Sequence, residues 1–121
     1  MLLNHFFTIK NIQQGDKNIV NVSLDPKHPV YQGHFPGMPV APGVCLTQML
    51  QETVEQLTGK KLTMVTGDNL KFTAVLNPEE NPEVVITLSL KTKDNGLLQA
   101  DGTISTTETT FFSFKGSFKE N

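Results

Sequence analysis

One histidine stands in the stiffest stretch of this sequence, Tyr31-Gln32-Gly33-His34-Phe35-Pro36-Gly37-Met38-Pro39-Val40-Ala41-Pro42-Gly43-Val44. Prolines fix φ and glycines permit close approach or unusual dihedrals, so a His mounted between them is held in a defined position, as a general base requires. The stretch ends on Pro42-Gly43, which opens a helix, and the first backbone N–H groups of a helix lack intrahelical partners. The Gly43 N–H is thereby placed to polarise a carbonyl oxygen, and the missing side chain leaves room for a substrate. A lone His in an ordinary loop is more often surface decoration; the rigid setting is what argues for chemistry at His34.

The elements that must position these groups follow from periodicity. From Leu46 the apolar positions Leu46, Met49, Leu50, Val54 and Leu57 recur at helical spacing, Gly59 stops the helix, and Lys60 and Lys61 follow its negative end. At about 100° per residue Thr53 joins that stripe, while Gln48, Glu52 and Glu55 lie roughly opposite, where a plain solvated face is the alternative to a site. The segment Asp25 to Gly43 holds five prolines and three glycines, too many for any regular element. Yet Tyr31, Phe35, Met38 and Val40 make it apolar enough to pack against something. An X-Pro cis bond at Pro36, Pro39 or Pro42 would suit such a loop.

Phe6 to Gln13 and Ile19 to Leu24 read as a hairpin across Gly15-Asp16-Lys17. Leu62 to Val75, Val84 to Lys93, Leu97 to Thr107 and Phe111 to Phe118 read as strands, with Asn77-Pro78 and Asp94-Asn95-Gly96 as connections. Two strands, a loop, one helix and four strands make an α+β chain in which an antiparallel sheet wraps round a single central helix. Phe111, Phe112, Phe114 and Phe118 read as strand core and subunit contacts, with the lining of an apolar tunnel as the alternative for some of them. No repeat or linker divides residues 1–121, read as one domain.

Composition narrows the function. The 121 residues carry a net charge of −2, and all ten basic residues are Lys. Without Arg or a basic footprint, nucleic acid is not the expected partner. Cys45 has no second Cys to pair with and reads as a buried, inert thiol. His5 and His28 have no ligand at metal spacing, so no metal is expected. The start Met1-Leu2-Leu3-Asn4-His5 resembles neither a signal peptide nor a membrane span, and a cytoplasmic location is the default expectation. A core this small favours a dimer or higher oligomer.

Gly33-His34-Phe35-Pro36-Gly37, Pro39 and Pro42-Gly43-Val44, with Asn21-Val22-Ser23 before them, closely resemble the signature of the (3R)-hydroxyacyl-ACP dehydratases of the FabZ and FabA type, which have the hot-dog fold. The resemblance runs along nearly the whole chain, which is shorter than a typical FabZ and is expected to lack its N-terminal helical extension. It implies a dimer with an acyl tunnel at the subunit interface, an acyl carrier protein bearing a 3-hydroxyacyl chain as partner, and no metal or organic cofactor. It implies that His34 takes the C2 proton of the thioester, that the Gly43 N–H polarises the carbonyl, and that Phe35, Gly43 and Val44 contact substrate. Lys60, Lys61, Lys71, Lys115 and Lys119 are candidates for meeting the acidic carrier, though scattered Lys is the more ordinary reading of each.

The sequence departs from that pattern at the acid. The resemblance puts the family's acid, a Glu or Asp fourteen positions after the His in sequence, on the central helix of the other subunit; that position is here Gln48, and the Gln usual four residues later is here Glu52. An amide hydrogen-bonds a hydroxyl but gives up no proton near neutral pH. Three readings follow. Glu52 is a relocated acid, with Gln48 positioning the hydroxyl; His34 both takes and returns the proton, with Gln48 orienting; or the site is impaired, and the chain pairs with a catalytic hot-dog subunit. Hydrolysis of the same thioester is a further alternative, although the Gly-His-Phe-Pro motif is not typical of thioesterases. The departure at Gln48 favours a specialised polyene or polyketide route over primary fatty acid synthesis.

Overall fold

The computed structural model describes all 121 residues. Its six strands are β1 (Phe7–Gln13), β2 (Asn18–Leu24), β3 (Leu62–Phe72), β4 (Glu83–Thr92), β5 (Leu98–Ser105) and β6 (Thr110–Glu120), with one α-helix, α1 (Gly43–Thr58). They form one antiparallel sheet in the order β1-β2-β4-β5-β6-β3. The expected sheet around one helix is therefore present.

Period-two burial explains how the sheet covers the helix. Val20, Val22 and Leu24 of β2, Val84, Ile86 and Leu88 of β4, and Ala100 and Ile104 of β5 point inward and are buried. They meet Leu46, Met49, Leu50 and Val54 of α1, with Phe112, Phe114 and Phe118 of β6 filling the same core. Helix and sheet leave no room for a side chain at Gly102, where an added Cβ would stand 2.6 Å from Leu88 Cδ2 and 3.2 Å from Leu50 Cδ1. At its far end α1 stops at Gly59, which takes φ 70° and donates its N–H to the Glu55 carbonyl.

Polar groups on α1 tie it to β3. Glu55 accepts from the Leu62 N–H at 2.9 Å, and Gln51 Nε2 donates to the Leu62 carbonyl at 3.1 Å. The strand ends at Phe72, and Thr73 after it gives both its N–H and its hydroxyl to carbonyls at the start of β6. The run expected to reach Val75 is therefore shorter. Leu76 beyond it accepts the Ala41 N–H at 2.8 Å and pins the loop that leads into α1. β3 is an edge strand, and beyond Leu62 its residues are largely exposed.

Three expectations need correction. The Pro- and Gly-rich segment does contain a regular element, a short 3-10 helix at Pro29–Gln32, because Pro29 fits its first turn and His28 Nδ1 accepts the Val30 N–H at 3.1 Å. Of its apolar residues Tyr31 is buried, but Phe35 and Met38 are 51% and 60% exposed. The cis peptide bond of the loop lies at His34–Phe35, and no X-Pro bond is cis.

Leu50 is buried and reaches the sheet beside Gly102. Leu50→Ala is expected to cost about 2–5 kcal/mol, read as a lower urea midpoint with an unchanged m-value.

Candidate active site

The loop around His34 is fastened by its own backbone. Phe35 and Met38 exchange N–H to carbonyl bonds of 3.0 and 2.9 Å, and the Val40 N–H donates to the His34 carbonyl at 3.0 Å. The His34 ring lies 2.9 Å through Nδ1 from the Val40 carbonyl and stacks on Phe35 at a centroid distance of 4.2 Å. A carbonyl only accepts, so the proton of the neutral ring sits on Nδ1 and the Nε2 lone pair is left unprotonated. That is the tautomer of a general base.

Pro42 caps α1 without a side-chain hydrogen bond, and the Gly43 N–H has no partner in the chain. The space that a side chain at Gly43 would need is filled: an added Cβ would stand 2.9 Å from the Phe72 ring. The expectation that the missing side chain gives room to a substrate is thus modified, since a phenyl ring occupies that room. Phe72 stacks on Phe112 at 4.8 Å and is 53% exposed, and Val44 beside it is 77% exposed.

One and two turns further along α1 are Gln48 and Glu52. Gln48 is exposed, but Glu52 is only 1% exposed, contrary to a solvated face. The reason is the start of the chain. The Leu2 N–H lies 3.0 and 2.9 Å from Glu52 Oε1 and Oε2, and the Leu3 N–H donates to Oε1 at 2.9 Å. Gln48 Nε2 donates to Oε2 at 2.9 Å. The Leu2 carbonyl in turn accepts the N–H groups of His5, Phe6 and Phe7, closing residues 2–7 into a hook.

The same hook reaches the loop. Phe6 is fully buried, with its ring 5.5 Å from His28 and 5.9 Å from Tyr31. His28, given no role from sequence, thus caps a short helix and packs on the hook; His5 is exposed. The Tyr31 hydroxyl is buried without a hydrogen-bond partner, and burial raises its pKa, with Cys45 and Asp25 adding to the effect.

A cleft of about 470 Å³ lies outside the loop between Lys27, Tyr31, Phe35, Pro39 and Glu79; it reaches none of His34, Gly43, Gln48 and Glu52. The chain therefore gathers Gly43, Gln48 and Glu52 along α1 and fixes His34 on the loop before it, with Glu52 buried and Gln48 exposed. No three His, Cys, Asp or Glu side chains cluster as metal ligands. Sequence reading missed Phe72 over Gly43 and the N–H groups of Leu2 and Leu3. The Phe6-Phe7 pair was the one signal that the chain start is anchored.

A family model described as ApeI-like, ApeI dehydratase, matches residues 10–115. A protein of Thermoanaerobacter sp. (strain X514) named 3-hydroxyacyl-[acyl-carrier-protein] dehydratase FabZ is 29% identical over 102 residues, which cover 78% of this chain and 70% of its own length. One of the same name from Latilactobacillus sakei subsp. sakei is 29% identical over 93 residues, 71% of this chain and 66% of its own. A chain of the dehydratase heterocomplex ApeI:P from Xenorhabdus doucetiae superposes with a TM-score of 0.67 at 19% identity, over 93% of this chain and 97% of that one. The conserved protein PA5202 of Pseudomonas aeruginosa superposes with a TM-score of 0.67 at 9% identity, over 97% and 90%. The fold is the expected hot-dog fold.

Cys45 lies two residues past Gly43, and burial pushes its thiol pKa up. A raised pKa lowers the thiolate fraction at any given pH. Ellman's reagent at pH 8 is expected to react with Cys45 about three- to tenfold more slowly than with free cysteine, and at the ordinary rate once urea unfolds the chain.

Proposed function

Because the chain belongs to the family of ApeI-like dehydratases, we propose that it eliminates water from a 3-hydroxyacyl thioester on acyl carrier protein to give the 2-enoyl thioester. The observation that carries this reading is His34, fixed in a braced loop with Nδ1 on the Val40 carbonyl and Nε2 left as a base. The Gly43 N–H, unpartnered at the uncapped start of α1, receives the thioester oxygen as charge develops on it.

Of the readings open for the acid, the geometry favours His34 as both base and acid. His34 Nε2 takes the C2 proton, and the electron pair is held as an enolate against Gly43. As the C2=C3 bond forms, the C3–O bond breaks and the same proton passes from Nε2 to the departing oxygen. The products are the enoyl thioester and water, with no net change in protons. Gln48 orients the hydroxyl. Both Glu52 oxygens already accept from N–H donors, which argues against a relocated acid there.

A second subunit completes the site in this reading. Phe35, Met38, Val44, Phe72 and Val75 are all large and more than half exposed, and they flank the loop and the start of α1. Contiguous apolar surface of this kind marks an interface. The partner is a second copy of this chain or another hot-dog subunit. The latter is the second functional reading, in which the chain supports an active dehydratase. Gln48 in the acid's place favours it.

The test is incubation of the purified chain with 3-hydroxyacyl-ACP over a series of chain lengths, followed by mass spectrometry of the acyl group. Loss of water is expected, reduced at least about 100-fold in His34→Ala. Loss of the whole acyl group would indicate a thioesterase. No reaction beside an active control dehydratase would favour the supporting-subunit reading, as would a chain that stays monomeric in native mass spectrometry.

A further inference from the structure

The Glu52 carboxylate is the most completely buried charge-bearing group in the chain, and its donors come from two directions. Leu2 and Leu3 hold it from the hook, and Gln48 Nε2 holds it from its own helix. A carboxylate only accepts hydrogen bonds, so it selects which end of the Gln48 carboxamide faces it. The NH₂ group turns inward and Oε1 turns away, into the exposed side of α1, where it has no partner in the chain.

We infer that Glu52, locked on the backbone N–H groups of Leu2 and Leu3, is a positioning residue that presents Gln48 Oε1 as a hydrogen-bond acceptor for the substrate's 3-hydroxyl. This rests on the dehydratase reading above and adds a rule of discrimination to it. A 3-hydroxyl donates to Oε1, and its lone pairs stay free to take the proton from His34. A 3-oxo group has only lone pairs and would face Oε1 acceptor to acceptor. The site thus favours the 3-hydroxyacyl thioester over the 3-oxoacyl thioester from which reduction produces it.

Glu52→Gln reverses this polarity with almost no change in shape. The new carboxamide keeps its oxygen on Leu2 and Leu3 at the Oε1 position, gives up the second Leu2 contact at the Oε2 position, turns its NH₂ toward Gln48, and so rotates the Gln48 carboxamide until its own NH₂ faces the substrate. A purely structural role for Glu52 predicts lower stability and no change in preference between ligands.

The experiment measures affinities of 3-hydroxyacyl- and 3-oxoacyl-pantetheine across a chain-length series, in full chains carrying His34→Ala so that nothing turns over. The parent is expected to favour the hydroxyl ligand about tenfold. Glu52→Gln is expected to remove or invert that ratio, and NMR to show faster exchange of the Gln48 carboxamide protons once the carboxylate is gone. Gln48→Leu changes an exposed residue, leaves Glu52 on its backbone donors, and is expected to bring the ratio near one even if Glu52→Gln fails to fold. A ratio near one in the parent, or an undiminished ratio in a folded Glu52→Gln or in Gln48→Leu, overturns the inference while the dehydratase reading stands. No binding of either thioester by the parent, alone or with a companion subunit, overturns both.

Discussion

One helix has to be buried by one sheet, and the rest of the structure is arranged around that requirement. The apolar side of α1 lies on inward residues of the sheet, and Gly102 lets Leu50 and Leu88 meet where any side chain would hold the layers apart. Packing at this density fixes the helix along its length and in its rotation, because a small turn about its axis would open voids beside Leu46, Met49 and Val54. Once the inner side is fixed, so is everything the outer side can present: an uncapped N-terminus at Gly43, then Val44, Gln48 and Glu52 at successive turns. The candidate groups on α1 therefore sit on an element held by close packing.

The loop carrying His34 cannot rely on such packing, since Phe35 and Met38 face outward. It is held by polar means and from both sides. Its own carbonyls and N–H groups close it between His34 and Val40, and Ala41 bonds to Leu76 on the segment after β3. From the other side Phe6 packs against His28 and Tyr31. The hook at residues 2–7 thus touches the loop with a phenyl ring and the helix with two backbone N–H groups. It thereby couples the loop before α1 to the middle of the helix.

How much of this was legible depends on whether a residue's neighbours are close in sequence. The ends of α1 were readable because Pro42 and Gly59 act locally, one by its fixed φ and the other by its positive φ. The strands were readable from alternation, and the turn at Gly96, φ 84°, from Asn95-Gly96. His34 stood out because prolines and glycines bracket it. Glu52 was misplaced because a helical wheel knows only the helix's own apolar side; what covers Glu52 is a pair of backbone N–H groups, which every residue but proline possesses and no residue type advertises. The filling of the space at Gly43 was equally silent, since it comes from Phe72, at the end of a strand twenty-nine positions away.

The placement of the carboxylate also bears on the reaction that is proposed for the site. Eliminating water needs a proton at the leaving oxygen, and the resemblance puts its donor where this chain has an amide. Shifting the carboxylate one turn along α1 keeps an acidic residue on the helix but sets it among three N–H donors, where its lone pairs are already engaged. The group that remains able to carry a proton between carbon and oxygen is the imidazole. A proton taken from C2 is the one that C3–O cleavage requires, so a single His34 suffices if both atoms come within its reach on the same side of the substrate. Under that condition the helix no longer needs to supply an acid. It needs to hold the hydroxyl with its lone pairs turned toward His34, and an acceptor that takes the hydroxyl's own hydrogen does this more directly than a donor would.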